Sequence, residues 1–98
     1  MNVKFSYLYR DGANYKQWHE EVFANTHGFA LEEIEAFIRN CLIGGEWFYV
    51  NEFGLKDLHA HVWDNEVDHK WHEFDSVTAT YQPATQNDIT DFLLKIVS

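Results

Sequence analysis

Val3, Phe5, Tyr7 and Tyr9 alternate with Lys4, Ser6, Leu8 and Arg10, the period of two that turns one face of a β-strand toward a core. Asp11-Gly12-Ala13-Asn14 carries reversal chemistry, because Gly and Asn tolerate positive φ and Asp bonds its own backbone. A second strand, from about Lys16 to Phe23, then closes a hairpin. Its pattern is less regular, with Trp18 and Val22 on one side and His19 and Phe23 on the other, which predicts a bulge. Asn25-Thr26-His27-Gly28 interrupts the strand. Beyond it Leu31, Ile34, Phe37, Ile38, Cys41 and Leu42 recur at three-and-four spacing and predict an amphipathic helix, with Glu32, Glu33 and Glu35 near its positive end and Gly44-Gly45 as its stop.

Glu46 to Val50 is aromatic and β-branched and predicts a third strand, ended by a turn over Asn51 to Gly54. Asp57, His59 and His61 then alternate with Leu58, Ala60 and Val62, a further strand with an apolar core half. Trp71 to Tyr81 reads as a long strand, with Trp71, Val77, Ala79 and Tyr81 in one parity and His72 and Phe74 in the other. Pro83 ends it. The last helix is expected from about Gln86 to Val97, on a stripe of Ile89, Phe92, Leu93 and Ile96, with Thr85 and Asp88 forming a capping box. The order ββαβ(β)βα implies an α+β fold: a small antiparallel sheet of four to five strands with two amphipathic helices on one face.

Composition narrows the function classes. A chain of 98 residues leaves room for one core, so residues 1–98 form a single domain. Sixteen acids against seven bases give a formal charge of −9, which argues against direct nucleic-acid binding, since that affinity depends on neutralising phosphates. The lone Cys41 has no internal disulfide partner and lies on an apolar stripe, where an inert thiol is expected. The amino terminus lacks an apolar signal core, and no run reaches the length of a membrane helix. A cytoplasmic protein without membrane attachment is the expectation.

Candidate chemistry concentrates in DLHAHVWDNEVDHKWHEF, residues 57–74, which holds four of the six histidines. On one strand face Asp57, His59 and His61 would resemble, in residue type, a two-histidine-one-carboxylate metal set. His69, His72 and Glu73 could complete its shell, with Asp68 or Glu73 orienting an imidazole. Alternation alone explains the pattern and is the favoured account, because a half-buried strand must put polar groups outward. His72-Glu73 lacks the second histidine of an HExxH helix, and no GxSxG elbow is present. At the first hairpin, Arg10 and Lys16 flank Asp11 and Asn14 and could hold a carboxylate or phosphate. Pairing of Arg10 with a nearby acid is the plainer account.

Tyr9-Arg10-Asp11-Gly12-Ala13-Asn14-Tyr15-Lys16, the Leu31-Glu32-Glu33-Ile34-Glu35 helix start and Asp68-His69-Lys70-Trp71-His72-Glu73-Phe74 together resemble a group of small uncharacterised bacterial proteins of about this length. That group has no assigned activity, so the resemblance implies no catalytic role. It implies only that the hairpin turn and the histidine-rich stretch are to be tested together, since similar proteins carry both segments.

The expected function is a small acidic binding protein without catalysis, of regulator or inhibitor type, requiring no cofactor. Trp18, Trp63 and Trp71 would supply contact area to a protein or small-molecule ligand. The alternative is a divalent-metal-binding or metal-dependent hydrolytic protein using the histidine cluster. A homodimer through an edge strand such as Val3 to Arg10 is also expected. Protonating all six histidines would move the charge from −9 to −3, so binding to a basic partner should weaken from about pH 7.5 to 5.5.

Overall fold

The computed structural model describes residues 1–59 and 71–97. Strands β1 (Asn2–Arg10), β2 (Lys16–Phe23), β3 (Trp47–Phe48) and β4 (His72–Thr80) form one antiparallel sheet in the order β2-β1-β4-β3. Helices α1 (Leu31–Asn40), α2 (Val50–Phe53) and α3 (Ile89–Val97) complete the α+β fold.

The alternation in β1 sends Val3, Phe5, Tyr7 and Tyr9 into the core, all at most 2% exposed. Phe5 is its centre, with ring centroids 5.2 Å from Phe74, 5.4 Å from Phe92 and 5.9 Å from Phe48. These tilted and edge-on contacts suit the aromatic quadrupole. Ile34 and Ile38 of α1 and Ile89, Phe92, Leu93 and Ile96 of α3 close over the same apolar cluster, so both amphipathic helices cover one face of the sheet.

Several boundaries differ from the sequence expectation. Val3 to Arg10 is not an edge: β1 pairs with β2 on one side and β4 on the other, and the edge strands are β2 and the short β3. The hairpin register runs without a shift from Val3 opposite Phe23 to Arg10 opposite Lys16. The bulge lies instead between β1 and β4, where Ser6 and Tyr7 face Ser76 and Phe74 and leave Asp75 as the extra residue. It switches parity, so His72, Phe74 and Val77 are all buried, and the simple alternation read over Trp71 to Tyr81 fails.

The expected third strand shrinks to Trp47–Phe48, and the expected turn after it is the single helical turn α2. Gly54 ends that turn at φ 69°, giving its N–H to the Val50 carbonyl, a left-handed position that favours glycine. Asp57 to His59 is not a strand. The Asp57 carboxylate accepts the His59 N–H at 2.9 Å, a local turn that competes with extended pairing. His61, Trp63, Asp68 and His69 lie outside the described residues.

The last helix begins at Ile89 rather than Gln86. Asp88 accepts the Thr90 N–H at 3.0 Å and also the Thr26 N–H and hydroxyl, so it caps α3 while fixing the loop after β2. Thr85 makes no capping box. Its hydroxyl faces β2, accepting the Val22 N–H at 2.9 Å and donating to Glu21 at 2.7 Å. Among the described residues no helix is long and apolar enough to cross a membrane.

Candidate functional site

The pleat that buries Tyr7 and Tyr9 also directs His19 and Glu21 of β2 to the core face, because they lie opposite Tyr7 and Phe5. His72 enters that face from the start of β4, opposite Phe48. The result is a polar end to an otherwise apolar core. Tyr9 and His72 rings lie 4.8 Å apart, and His19 meets Tyr7 edge-on at 5.6 Å.

His72 is 1% exposed. Its Nε2 accepts the Leu58 N–H at 3.1 Å, which requires a lone pair there and places the proton of a neutral ring on Nδ1. Asp57 Oδ1 lies 3.5 Å from the same Nε2, too far for a strong hydrogen bond. The Leu58 contact therefore sets the tautomer. The Tyr7 hydroxyl donates to the Lys56 carbonyl at 2.7 Å. Burial, with the nearby Glu21 charge and a smaller push from Asp57, raises that phenol well above its usual range. It is a clamp at neutral pH, not an acid or base. Tyr7 and His72 together fasten residues 56–58 over the end of the sheet.

His19 Nε2 donates to Glu21 Oε1 at 2.8 Å, and Thr85 donates to the other carboxylate oxygen. Desolvation works to raise the Glu21 carboxyl, but hydrogen bonds from Thr85, His19 and Gln86 outweigh it and hold the group below its usual range. Glu21 thus stays ionised while buried. Its bonds are internal, joining β2 to the segment before α3.

The expected metal set is not assembled from the residues described. Asp57 bonds its own backbone neighbourhood, His59 stands edge-on to Tyr9 at 5.3 Å, and His72 Nε2 accepts an amide. Among the described residues no group of three His, Cys, Asp or Glu side chains could hold a metal ion. Cys41 packs against the core, and burial raises its thiol.

The hairpin cations part company. Arg10 Nε pairs with Glu73 Oε2 at 3.0 Å and its Nη1 donates to Asn14 Oδ1 at 2.9 Å. Asn14 sits at φ 69°, and the Asp11 carboxylate accepts the Ala13 and Tyr15 N–H groups. Arg10 is therefore used to brace the turn against β4, while Lys16 is exposed at the start of β2. The structure brings Arg10, Asn14 and Glu73 together, joining the hairpin to the histidine-rich stretch. Of the tryptophans, Trp18 is 57% and Trp71 40% exposed, and Trp47 is half-buried.

A feature of different character lies between α1 and α3. An open apolar cleft of about 310 Å³ is lined by Phe29, Ile34, Phe37, Leu93 and Leu94, with Glu33 and Thr90. Ile34 and Leu93 form the buried floor, whereas Phe29, Phe37 and Leu94 remain exposed beside it. Sequence reasoning misses this site because Phe37 shares the three-and-four spacing of Ile34 and Ile38, which are buried. The available signal was Leu94, an apolar residue next to the Phe92-Leu93 stripe rather than within it.

No protein-family model, curated protein or solved structure matches the chain.

Proposed function

We propose that this is a small acidic binding protein without catalytic activity, and that its docking site is the α1–α3 cleft. The observation carrying the proposal is the exposed trio Phe29, Phe37 and Leu94 around an apolar cleft. Leaving contiguous large apolar side chains in water is a recurrent property of interaction surfaces. The partner best suited is a protein segment presenting apolar anchors beside Lys or Arg. Glu33 lines the cleft and Glu32 precedes it on an exposed turn. Arg39, the basic residue of α1, is held by Glu35 at 2.9 Å, leaving those two acids free of a neighbouring cation on that helix. A basic segment would bury its anchors on Ile34 and Leu93 and meet a surface of the opposite sign, which also speeds encounter.

The test is selection of peptides mixing leucine, phenylalanine and lysine, displayed on a neutral carrier, against the intact protein and its Leu94→Asp variant. Leu94 is 63% exposed, so that change should leave the fold unaltered by circular dichroism. Enrichment on the parent alone, with affinity falling as salt rises, supports the reading. Equal enrichment on both proteins, or none on either, overturns it.

A further inference from the structure

The β2 edge is covered at only one end. Val22 directs its main chain away from β1: its N–H is accepted by Thr85, and its carbonyl accepts the Thr85 and Gln86 N–H groups at 2.8 and 3.0 Å. Because strand backbones alternate with period two, Glu20, Trp18 and Lys16 point their N–H and C=O groups the same way. Among the described residues nothing hydrogen-bonds those outward groups of Trp18 and Glu20. The Thr85–Gln86 crossing stops at Val22, and among the described residues the rest of the edge is open.

We propose that this open edge pairs with the same edge of a second copy, antiparallel about a two-fold axis through Trp18. In that register Trp18 faces its own counterpart, Lys16 faces Glu20 of the other copy, and Gln17 faces His19. The register pairs every outward-pointing residue from Lys16 to Glu20 with another outward-pointing residue, so main-chain bonds are exchanged on both sides of the axis. Shifting it by one residue toward the carboxyl end would set Lys16 against Val22, whose main-chain groups are already occupied. Shifting it the other way would carry Glu20 beyond Lys16, where β2 begins.

Charge selects the same register. A strand defended against self-pairing commonly carries like charges that repel an approaching copy. Here the signs are opposite and symmetric about the centre, so each Lys16 meets a carboxylate. Glu20 already lies 3.1 Å from Lys4, but its side chain is 54% exposed and retains room for a second cation. Lys16, Trp18 and Glu20 share the sheet face opposite the helices, so the paired indoles would lie between two ion pairs. Cross-strand aromatic and opposite-charge pairs both favour association. The pairing would merge two four-stranded sheets into one. None of these residues lines the α1–α3 cleft, so the inference stands apart from the cleft proposal and is tested on different variants.

Sedimentation velocity of the intact chain over a wide concentration range should show a monomer–dimer equilibrium. Trp18→Lys places two ammonium groups at the axis on an exposed position and should shift the dissociation constant upward at least tenfold while preserving the circular dichroism spectrum. Register is read by cross-linking in a Cys41→Ser background. Trp18→Cys should form a disulfide dimer on mild oxidation, since opposed strand residues lie within disulfide reach. Lys16→Cys and Glu20→Cys should cross-link efficiently only when mixed with each other. A chain that stays monomeric to its solubility limit overturns the proposal. So does a dimer unaffected by Trp18→Lys, or cross-linking that ignores the pairing rule.

Discussion

Replacing Thr85 by valine keeps the shape of the side chain and removes one hydroxyl with two functions. That hydroxyl donates to the buried Glu21 carboxylate at 2.7 Å and accepts the Val22 N–H at 2.9 Å. A hydrogen bond to a charged group contributes about 1.5–3 kcal/mol. Thr85 itself is exposed, so water can replace part of the loss and a cost near 1.5–2 kcal/mol is expected at pH 7. For a domain of this size that lowers Tm by roughly 6–16 °C. The sign with pH follows from linkage. Glu21 is held below its ordinary value of 4.5, so its stabilisation is present above that value and disappears as pH falls through the lower folded value. Thr85→Val removes one cause of the depression, so the gap between parent and variant should be widest near neutrality. It should shrink to about 1 kcal/mol or less once the carboxyl is protonated. Urea unfolding at pH 7 and at progressively lower pH measures both quantities. A cost below about 0.5 kcal/mol at pH 7, or a gap that does not narrow in acid, would refute the role assigned to this contact.

Further outcomes can be checked by the same unfolding assay. Phe5→Ala removes the ring around which Phe48, Phe74 and Phe92 are arranged and should cost about 3–5 kcal/mol, or leave the chain unfolded at 37 °C. Gly54→Ala forces a side chain into a left-handed position at φ 69° and against the flexible end of Lys95; since the lysine can move, the backbone dominates, and a loss of about 1–2 kcal/mol is expected. Asp88→Ala removes the acceptor for Thr26 and Thr90 and should cost about 1–2 kcal/mol. The Thr26 hydroxyl above all, with the backbone bonds, holds Asp88 far below the usual carboxylate range, so that loss should persist at pH 4 and fade only in stronger acid.

The sequence was most informative where one period governed a whole element. Val3, Phe5, Tyr7 and Tyr9 and the α3 stripe needed no tertiary information, because burying one face of a regular backbone imposes the spacing. It was least informative where a single contact changed the period. The extra residue Asp75 places His72, Phe74 and Val77 in one core despite their mixed parity, and no residue type announces such a bulge. Thr85 resembled a helix cap because Asp88 follows it at the right distance. Its acceptor, Glu21, lies 64 positions away in the chain, a separation that local pattern cannot see. The Arg10 pairing with an acid was foreseeable in kind, but the choice of Glu73 depended on β4 lying beside β1. Asp57, His59 and His61 read as one strand face, whereas Asp57 and His59 lie in no strand and the Asp57 carboxylate accepts the His59 amide. The cleft was hidden because an apolar residue on a helix reads as core until its neighbour is known to stop short of it.

The central place of β1 carries a consequence for biosynthesis. Its hairpin mate follows at once, but Phe5 must wait for Val77 to find its other neighbour. On a ribosome, the first strand therefore leaves the tunnel long before the residue that will sit beside it has been translated. During that interval one flank of a Tyr- and Phe-rich hairpin is open to whatever passes. Slowing elongation after the hairpin should thus lengthen a vulnerable period, increasing its capture by holdase chaperones without any change in the finished protein.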